Sequence, residues 1–565
     1  MKRALDASSQ RLLRLAPVRV AIACAFGFAL GNTAPAMAFQ FGTDSTDLKV
    51  RWDNTLKYTA AWRVKDPDPN ITVSAANPNV DFGDLSYNSG LINNRVDLLS
   101  ELDVGYKNMG FRVSGAAWYD SVYNKDTTDY VGVIPNRISA ILGGPNNALS
   151  QDAKDMMGKK GELLDAFVYG TVDMGEQKLS VRVGKHTLLY GESLFLGANA
   201  VAAAQGPVDL IKAFSLPNAQ FKEIAMPVGQ VSANLSISSN LSLGGYYQYQ
   251  WKGLRVPASG SYFGVADFIG AGADLLLSPA GPASRVADRN GDDSGQWGIQ
   301  VKIKDGFIDY GLYAGRFHEK GPIPVLDFTV PGAFNAGSYS QVYAKDISFY
   351  GVSVSTVVGE TNLAAEISTR RNTPLSPVGD LIITTSPGWD NDRNTPYALG
   401  NTLHANFSMI NLFPATPMWA GASLVAEVAF NRLLSVSRNP VNGLGISALN
   451  TTHTRDSTVM RLVFQPEYFQ VMPGVDLQVP IGLGYGISGR SPIIQLIPEH
   501  GGDFSIGVNA EVDKTWKAGL NYTHYYGHAG PAPDLPATGP TGTYASFKQY
   551  YQDRDFISLS VQRTF

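Results

Sequence analysis

The chain has 565 residues, with 45 Lys and Arg against 49 Asp and Glu, a formal net charge of −4 and one cysteine. An acidic balance without a basic patch excludes nucleic acid as a partner, and a lone Cys excludes a disulfide framework or a thiolate metal centre. The 58 Gly, 26 Tyr and 26 Phe, with 17% charged residues, favour a sheet protein built on tight turns and aromatic belts.

The chain opens with Lys2, Arg3, Arg11, Arg14 and Arg19, continues with 11 apolar residues from Val20 to Leu30, and reaches Ala36-Met37-Ala38. This pattern predicts a secretory signal peptide over 1–38, its apolar run being too short to span a bilayer. Its removal takes the only Cys, Cys24, with five cations and Asp6, leaving 40 cations against 48 carboxylates and a net charge of −8.

From there, segments of period two recur. The first sets Leu48, Val50, Trp52, Leu56 and Tyr58 on one face against Lys49, Arg51, Asp53 and Lys57 on the other, with Asn54 spoiling the apolar face. Val96, Leu98, Leu102 and Val104 follow, then the turn Lys107-Asn108-Met109-Gly110 and Phe111, Val113 and Ala117. Further hairpins meet at Gly175-Glu176-Gln177, Ser238-Ser239-Asn240, Asp305-Gly306, Gly359-Glu360 and Asp513-Lys514. Between them lie gaps rich in Pro, Gly, Asn and Asp, read as loops.

Short turns on one side and long loops on the other are the organisation of an outer-membrane barrel, turns periplasmic and loops extracellular. The expected fold is all-β: a transmembrane antiparallel β-barrel of about 18 strands (16–18) over residues 39–565, both termini periplasmic. The last segment fits, with Ile557, Leu559, Val561 and Phe565 on an apolar face and a terminal aromatic like those addressed by barrel-assembly machinery. Arg563 departs from that face and is expected to snorkel at the membrane edge.

If apolar positions face lipid, Arg182, His186, Glu366, Arg370, His404, Glu427, Asn431, Arg461 and Glu511 face the lumen. Glu366 and Arg370 on one strand, His404 on the next and Glu427 on the one after suggest an ion-pair and hydrogen-bond network. These charges either pair as packing or form a constriction that screens solutes.

The gap 192–228 stands apart. Leu194 to Ala204 is small and apolar, and Val208 to Phe214 is expected to form a short helix. Such a loop is more stable folded into the mouth or lumen, where Phe195, Asp209 and Phe214 are its candidate plug residues. It either narrows the passage or fills a wide barrel.

No catalytic residue, metal site or cofactor is expected, and the chain is not read as an enzyme. His404 and Ser408 sit four residues apart on one strand, roughly 13 Å, too far for a dyad. Asp288-Arg289-Asn290-Gly291-Asp292-Asp293 lacks the glycine and the bidentate Glu of a calcium loop.

One stretch carries a specific resemblance: Asp165-Ala166-Phe167-Val168-Tyr169-Gly170, then Leu179 to Lys185, then Tyr190-Gly191-Glu192-Ser193. Weaker matches are Gly206-Pro207-Val208-Asp209, Tyr246 to Lys252, Gly295-Gln296-Trp297-Gly298, Val342 to Ile347, Gly400-Asn401-Thr402 and Pro473 to Leu477. On these the chain resembles the proteobacterial outer-membrane family catalogued as a domain of unknown function (number 1302), departing at Tyr190 and His186, where that family more often has Trp and Gln. The resemblance implies an outer-membrane location after secretion through the inner membrane. It also implies a link to an RND-type transporter and a periplasmic protein, in contexts of hydrophobic-compound metabolism.

The expected function is porin-like passage or binding of a small, hydrophobic solute. The alternative is a structural or adaptor barrel, set in outer-membrane lipid, that docks a periplasmic or RND-type partner without conducting.

Overall fold

The computed structural model describes residues 39–41, 47–72, 79–132, 137–278, 280–334, 336–376, 381–534, 544–545 and 547–565. The signal peptide expected over 1–38 lies outside them. The alternating segments become barrel strands, because period two gives each one an apolar and a polar face.

The first six strands are β1 (Leu48–Arg63), β2 (Gly90–Tyr106), β3 (Met109–Asp120), β4 (Lys159–Met174), β5 (Gln177–His186) and β6 (Val228–Ser236). Then come β7 (Leu241–Gln248), β8 (Gln296–Asp305), β9 (Ile308–Phe317), β10 (Ile347–Val358), β11 (Thr361–Pro374) and β12 (Leu399–Phe413). The last are β13 (Gly421–Arg438), β14 (Asp456–Met472), β15 (Val475–Gln478 and Ile481–Ser488), β16 (Gly502–Val512), β17 (Trp516–Tyr526) and β18 (Phe556–Thr564). The break in β15 falls at Val479-Pro480, where proline has no N–H to give the ladder; both halves pair with β14 and β16.

Each strand pairs antiparallel with its chain neighbours, and β18 returns to β1 with Leu56 opposite Arg563 and Trp62 opposite Ile557. The result is a closed barrel of 18 strands. Residues Phe39–Phe41 pair with Val50–Trp52 of β1, beyond the point where β18 ends. Closure leaves no free sheet edge, which an apolar surround requires.

The outside is the apolar face: Ile367 is 51% exposed, while Glu366 beside it is 3% exposed on the inside. Arg563, on the outward face, lies over the Trp516 ring at 5.1 Å, so its stem joins the aromatic surface. Asn54 exchanges both backbone hydrogen bonds with Phe565 at 2.8 Å, placing the polar exception at the end of the wall.

Turns at one end are tight. Asp513 and Lys514 both take positive φ, 49° and 55°, the geometry that matches strand twist in a short hairpin. At the other end the long connections are structured, where the sequence suggested loops. Leu275–Ser278, Gly281–Arg285, Ile323–Asp327, Ser338–Val342 and Ile382–Thr384 form a second sheet of five strands. Period two is hard to see in strands of three to five residues buried on both faces.

An aromatic core with Phe82, Tyr87, Tyr123, Tyr262, Phe263 and Tyr551 ties the connections near β1, β3 and β18 together. At its centre the fully buried Arg63 pairs with Asp84 at 2.7 Å and Asp553 at 3.3 Å.

Candidate functional site: an inward connection pinned to one wall

The connection between β5 and β6 contains a 3-10 turn, Val201–Ala204, and two short helices, α1 (Leu210–Ser215) and α2 (Phe221–Ile224). Its small residues let it lie close to the wall. A Cβ on Gly191, whose φ is +91°, would come within 2.4 Å of the Glu366 carboxylate, and one on Gly197 within 2.4 Å of the Phe221 ring.

Two interior carboxylates hold its backbone. Glu427 on β13 accepts from the N–H groups of Leu194 (3.1 Å), Phe195 (2.6 Å) and Leu196 (2.9 Å), from Ser193 Oγ (2.7 Å) and from Asn406 Nδ2 (2.7 Å). Glu366 on β11 accepts from Glu192 N at 2.6 Å and Val201 N at 2.8 Å. A carboxylate receiving several N–H groups in a water-poor site makes charge-assisted bonds, stronger than neutral ones.

Between these anchors Asn199, fully buried, is the hub. Its Nδ2 donates to Asn406 Oδ1 (2.9 Å), Phe430 O (3.0 Å) and Ala405 O (3.3 Å), and its Oδ1 accepts from Asn431 Nδ2 at 3.2 Å. His404 Nδ1 lies 3.1 Å from the same Oδ1, so Nδ1 carries the proton, and Thr402 Oγ1 lies 2.8 Å from Nε2. Arg370 donates to the carbonyls of Ala200 (2.8 Å) and Ala198 (3.2 Å). Phe195 and Leu196 pack on Ala429, Val459 and Ile497.

Glu366, Arg370, His404, Glu427 and Asn431 therefore meet on three adjacent strands. The sequence suggested an ion-pair and hydrogen-bond network crossing the strands; the partners of these five residues are mainly the segment's backbone and Asn199, with Asn406 to Glu427 a hydrogen bond between adjacent strands. The remaining lumen candidates lie elsewhere. Arg182 is over the Phe167 ring at 5.9 Å, and His186 is buried with Ser232 Oγ at 2.8 Å and Gly184 O at 3.1 Å, both on β5. Arg461 on β14 pairs with Asp503 on β16, and Glu511 is 3.5 Å from Lys517 near the short-turn end.

Asp209 caps α1 by accepting from Lys212 N at 3.1 Å and pairs with Arg255 at 2.7 Å. Phe214 points away from the anchors, against the rings of Tyr551 (5.2 Å) and Phe263 (6.1 Å). Ser408 Oγ donates to Glu192 O at 3.0 Å, away from His404. In the acidic 288–293 stretch, Asp288 pairs with Arg285, Asp292 with Lys345, and Asp293 accepts from Trp251 N.

Asn199, Asn406 and Thr402 escaped the sequence reading. The available signal was one amide, Asn199, within an otherwise apolar run.

Fold and site together define a transmembrane β-barrel whose third long connection is folded inward and fastened chiefly to β11–β13. The chain matches the family model described as "Protein of unknown function (DUF1302)" over residues 19–565, and it belongs to that family. No curated protein matches it.

Among solved structures it is similar to OccAB3 of Acinetobacter baumannii, with TM-score 0.40, 10% identity, and coverage of 91% of this chain and 99% of that one. It is also similar to OpdK of Pseudomonas aeruginosa, solved with vanillate, at TM-score 0.38 and 11% identity, covering 91% and 98%. A third is OccK2 (OpdF) of the same species, in complex with glucuronate, at TM-score 0.36 and 9% identity, again covering 91% and 98%.

Proposed function

We propose that the protein is an outer-membrane passage for a small solute with a hydrophobic body, and that the 192–228 segment sets the width of the route. The observation that carries this reading is asymmetry. The segment covers the interior of β11 to β13, while interior side chains of β1 to β5, including Lys57, Arg112, Phe167 and Arg182, stay exposed or half-buried. A segment anchored on β11 to β13 that also reaches β16, where Asn218 Oδ1 accepts from Ser505 Oγ at 3.0 Å, narrows the barrel and leaves the half-buried side chains of β1 to β5 to line what remains.

At the loop end a cleft of about 220 Å³ has mixed walls, with Leu381, Ile382, Trp389 and Val441 beside Asn394, Arg438 and Asn442. Such a cleft offers a small organic molecule apolar contacts for its body and polar partners for its head.

The test is solute flux into liposomes carrying the purified barrel, with and without residues 194–214. Flux in the intact protein, faster and less selective after the deletion, is expected. A sealed bilayer in both cases overturns the passage.

A further inference from the structure

Resting on that passage reading, we infer that the open wall carries a binding site for the carboxylate of an organic anion, formed by Lys57, Lys160, Lys212 and Lys252 around Trp118. The residues come from three strands, the inward segment and the connection after β7. Lys57 on β1 stands opposite Asp97 on β2, and Lys160 on β4 stands opposite Trp118 on β3. Lys212 is on α1, whose cap, Asp209, holds Arg255. Lys252 lies three residues before Arg255, which is fixed by Arg255 N donating to Val208 O (3.0 Å) and Leu210 N donating to Arg255 O (2.9 Å).

The charges do not balance locally. Lys57, Arg95, Lys160, Lys185, Lys212, Lys252 and Arg255 are seven cations, and Asp97, Asp120, Glu162 and Asp209 are four carboxylates, an excess of three positive charges. The arginines occupy three of the acids, Arg95 pairing with Asp97 and Arg255 with Glu162 and Asp209, while Asp120 accepts from Asn93 Nδ2 at 2.6 Å and Val122 N at 2.9 Å. Among the described residues no carboxylate lies within ion-pair distance of the four lysines, and the Lys160 ammonium contacts only the Met156 sulfur, at 3.5 Å. Like charges gathered without counter-ions repel, and an anion relieves that cost.

A second observation points to a ligand oxygen. Trp118 is 9% exposed and its indole N–H is buried without a hydrogen-bond partner, although Arg95 and Arg255 both stack on the ring, at 4.5 and 5.7 Å. A buried donor left unpaired is costly and rare. Beside the lysines, Met156, Ile211 and Phe214 join the aromatic core with Phe263 and Tyr551, so the site offers cations to the head of the solute and rings to its body. Burial, then the nearby Arg255 and Lys185, pull the Lys252 ammonium down to about 8, in keeping with crowded cations.

The test is calorimetric titration of the full barrel in detergent with benzoate, its neutral relative benzyl alcohol and inorganic phosphate, with heat-modifiable gel mobility confirming that each variant is folded. Benzoate is expected to bind at least about tenfold more tightly than benzyl alcohol. K160Q/K252Q should lose about tenfold in benzoate affinity, and Trp118→Phe, which keeps the stacking and removes the N–H, several-fold, the scale of one charge-assisted bond. Equal binding of benzoate and benzyl alcohol, or benzoate affinity unchanged in folded K160Q/K252Q, overturns the site. Phosphate binding as tightly as benzoate overturns its assignment to an organic anion. Benzoate binding without flux in liposomes defeats the passage and leaves the site standing; flux without benzoate binding does the reverse.

Discussion

The walls β11–β13 and β1–β5 are built from the same alternation, apolar outward and polar inward, yet their interior charges do different work. On β11–β13, Glu366, Glu427, Arg370 and Asn431 are buried and bonded to a connection that has come inside. On β1–β5 some pairs are local to the wall, as in Arg112 with Glu101, others such as Arg63 with Asp84 and Glu162 with Arg255 reach the connections, and Lys57 and Lys160 have no acid within ion-pair distance. An interior charge becomes an anchor when backbone N–H groups are brought to it, and a lining group when solvent or solute remains its partner.

The largest test of that contrast is Glu427→Ala, which strips the acceptors from three backbone N–H groups, Ser193 Oγ and Asn406. The loss is about 4 kcal/mol of segment anchoring, and single-channel conductance in planar bilayers should rise several-fold and become noisy. Glu427→Gln keeps one acceptor oxygen and should fall between. A folded E427A barrel with wild-type conductance would remove the segment's claim to set the width.

Asn199→Ala comes next. It leaves the Asn431 amide and the His404 N–H without their acceptor, at a cost of about 2 kcal/mol, while both carboxylate anchors remain. The expected readout is faster hydrogen exchange of backbone amides 194–201, with mean conductance little changed. Unchanged exchange would mean that the carboxylates alone hold the segment.

Much of the barrel was legible in the sequence, because period two and tight turns are local signals. Leu48 to Tyr58, the Lys107 turn and the final strand all lie as their patterns indicate. The polar exceptions, Asn54 and Arg563, sit at the end of the wall, where Phe565 and Trp516 meet them. The anchors were legible only as inward-facing charges. What Glu366 and Glu427 bind is main-chain N–H from 165 to 233 residues away, which no side-chain pattern encodes. The lysine belt was half hidden for a related reason: Lys57 and Lys160 follow strand alternation, but Lys212 and Lys252 come from connections whose path only tertiary packing fixes.

The smallest expected effect is a pH dependence confined to the open wall. The Lys252 ammonium, lowered to about 8 chiefly by burial and then by Arg255 and Lys185, is charged below that pH and neutral above it. Of the other groups acting on it, Glu162 opposes the shift and Lys160 adds to it. An anion binds the charged form better, so benzoate affinity should fall by about threefold between pH 7 and pH 9, a fraction of one full charge-assisted bond. Binding should also take up protons near pH 8, visible as a dependence of the calorimetric heat on buffer ionisation. Lys252→Gln should flatten both. Glu427→Ala, on the opposite wall, should leave the slope intact; if it flattens the slope as well, the two walls are coupled and their division of labour fails.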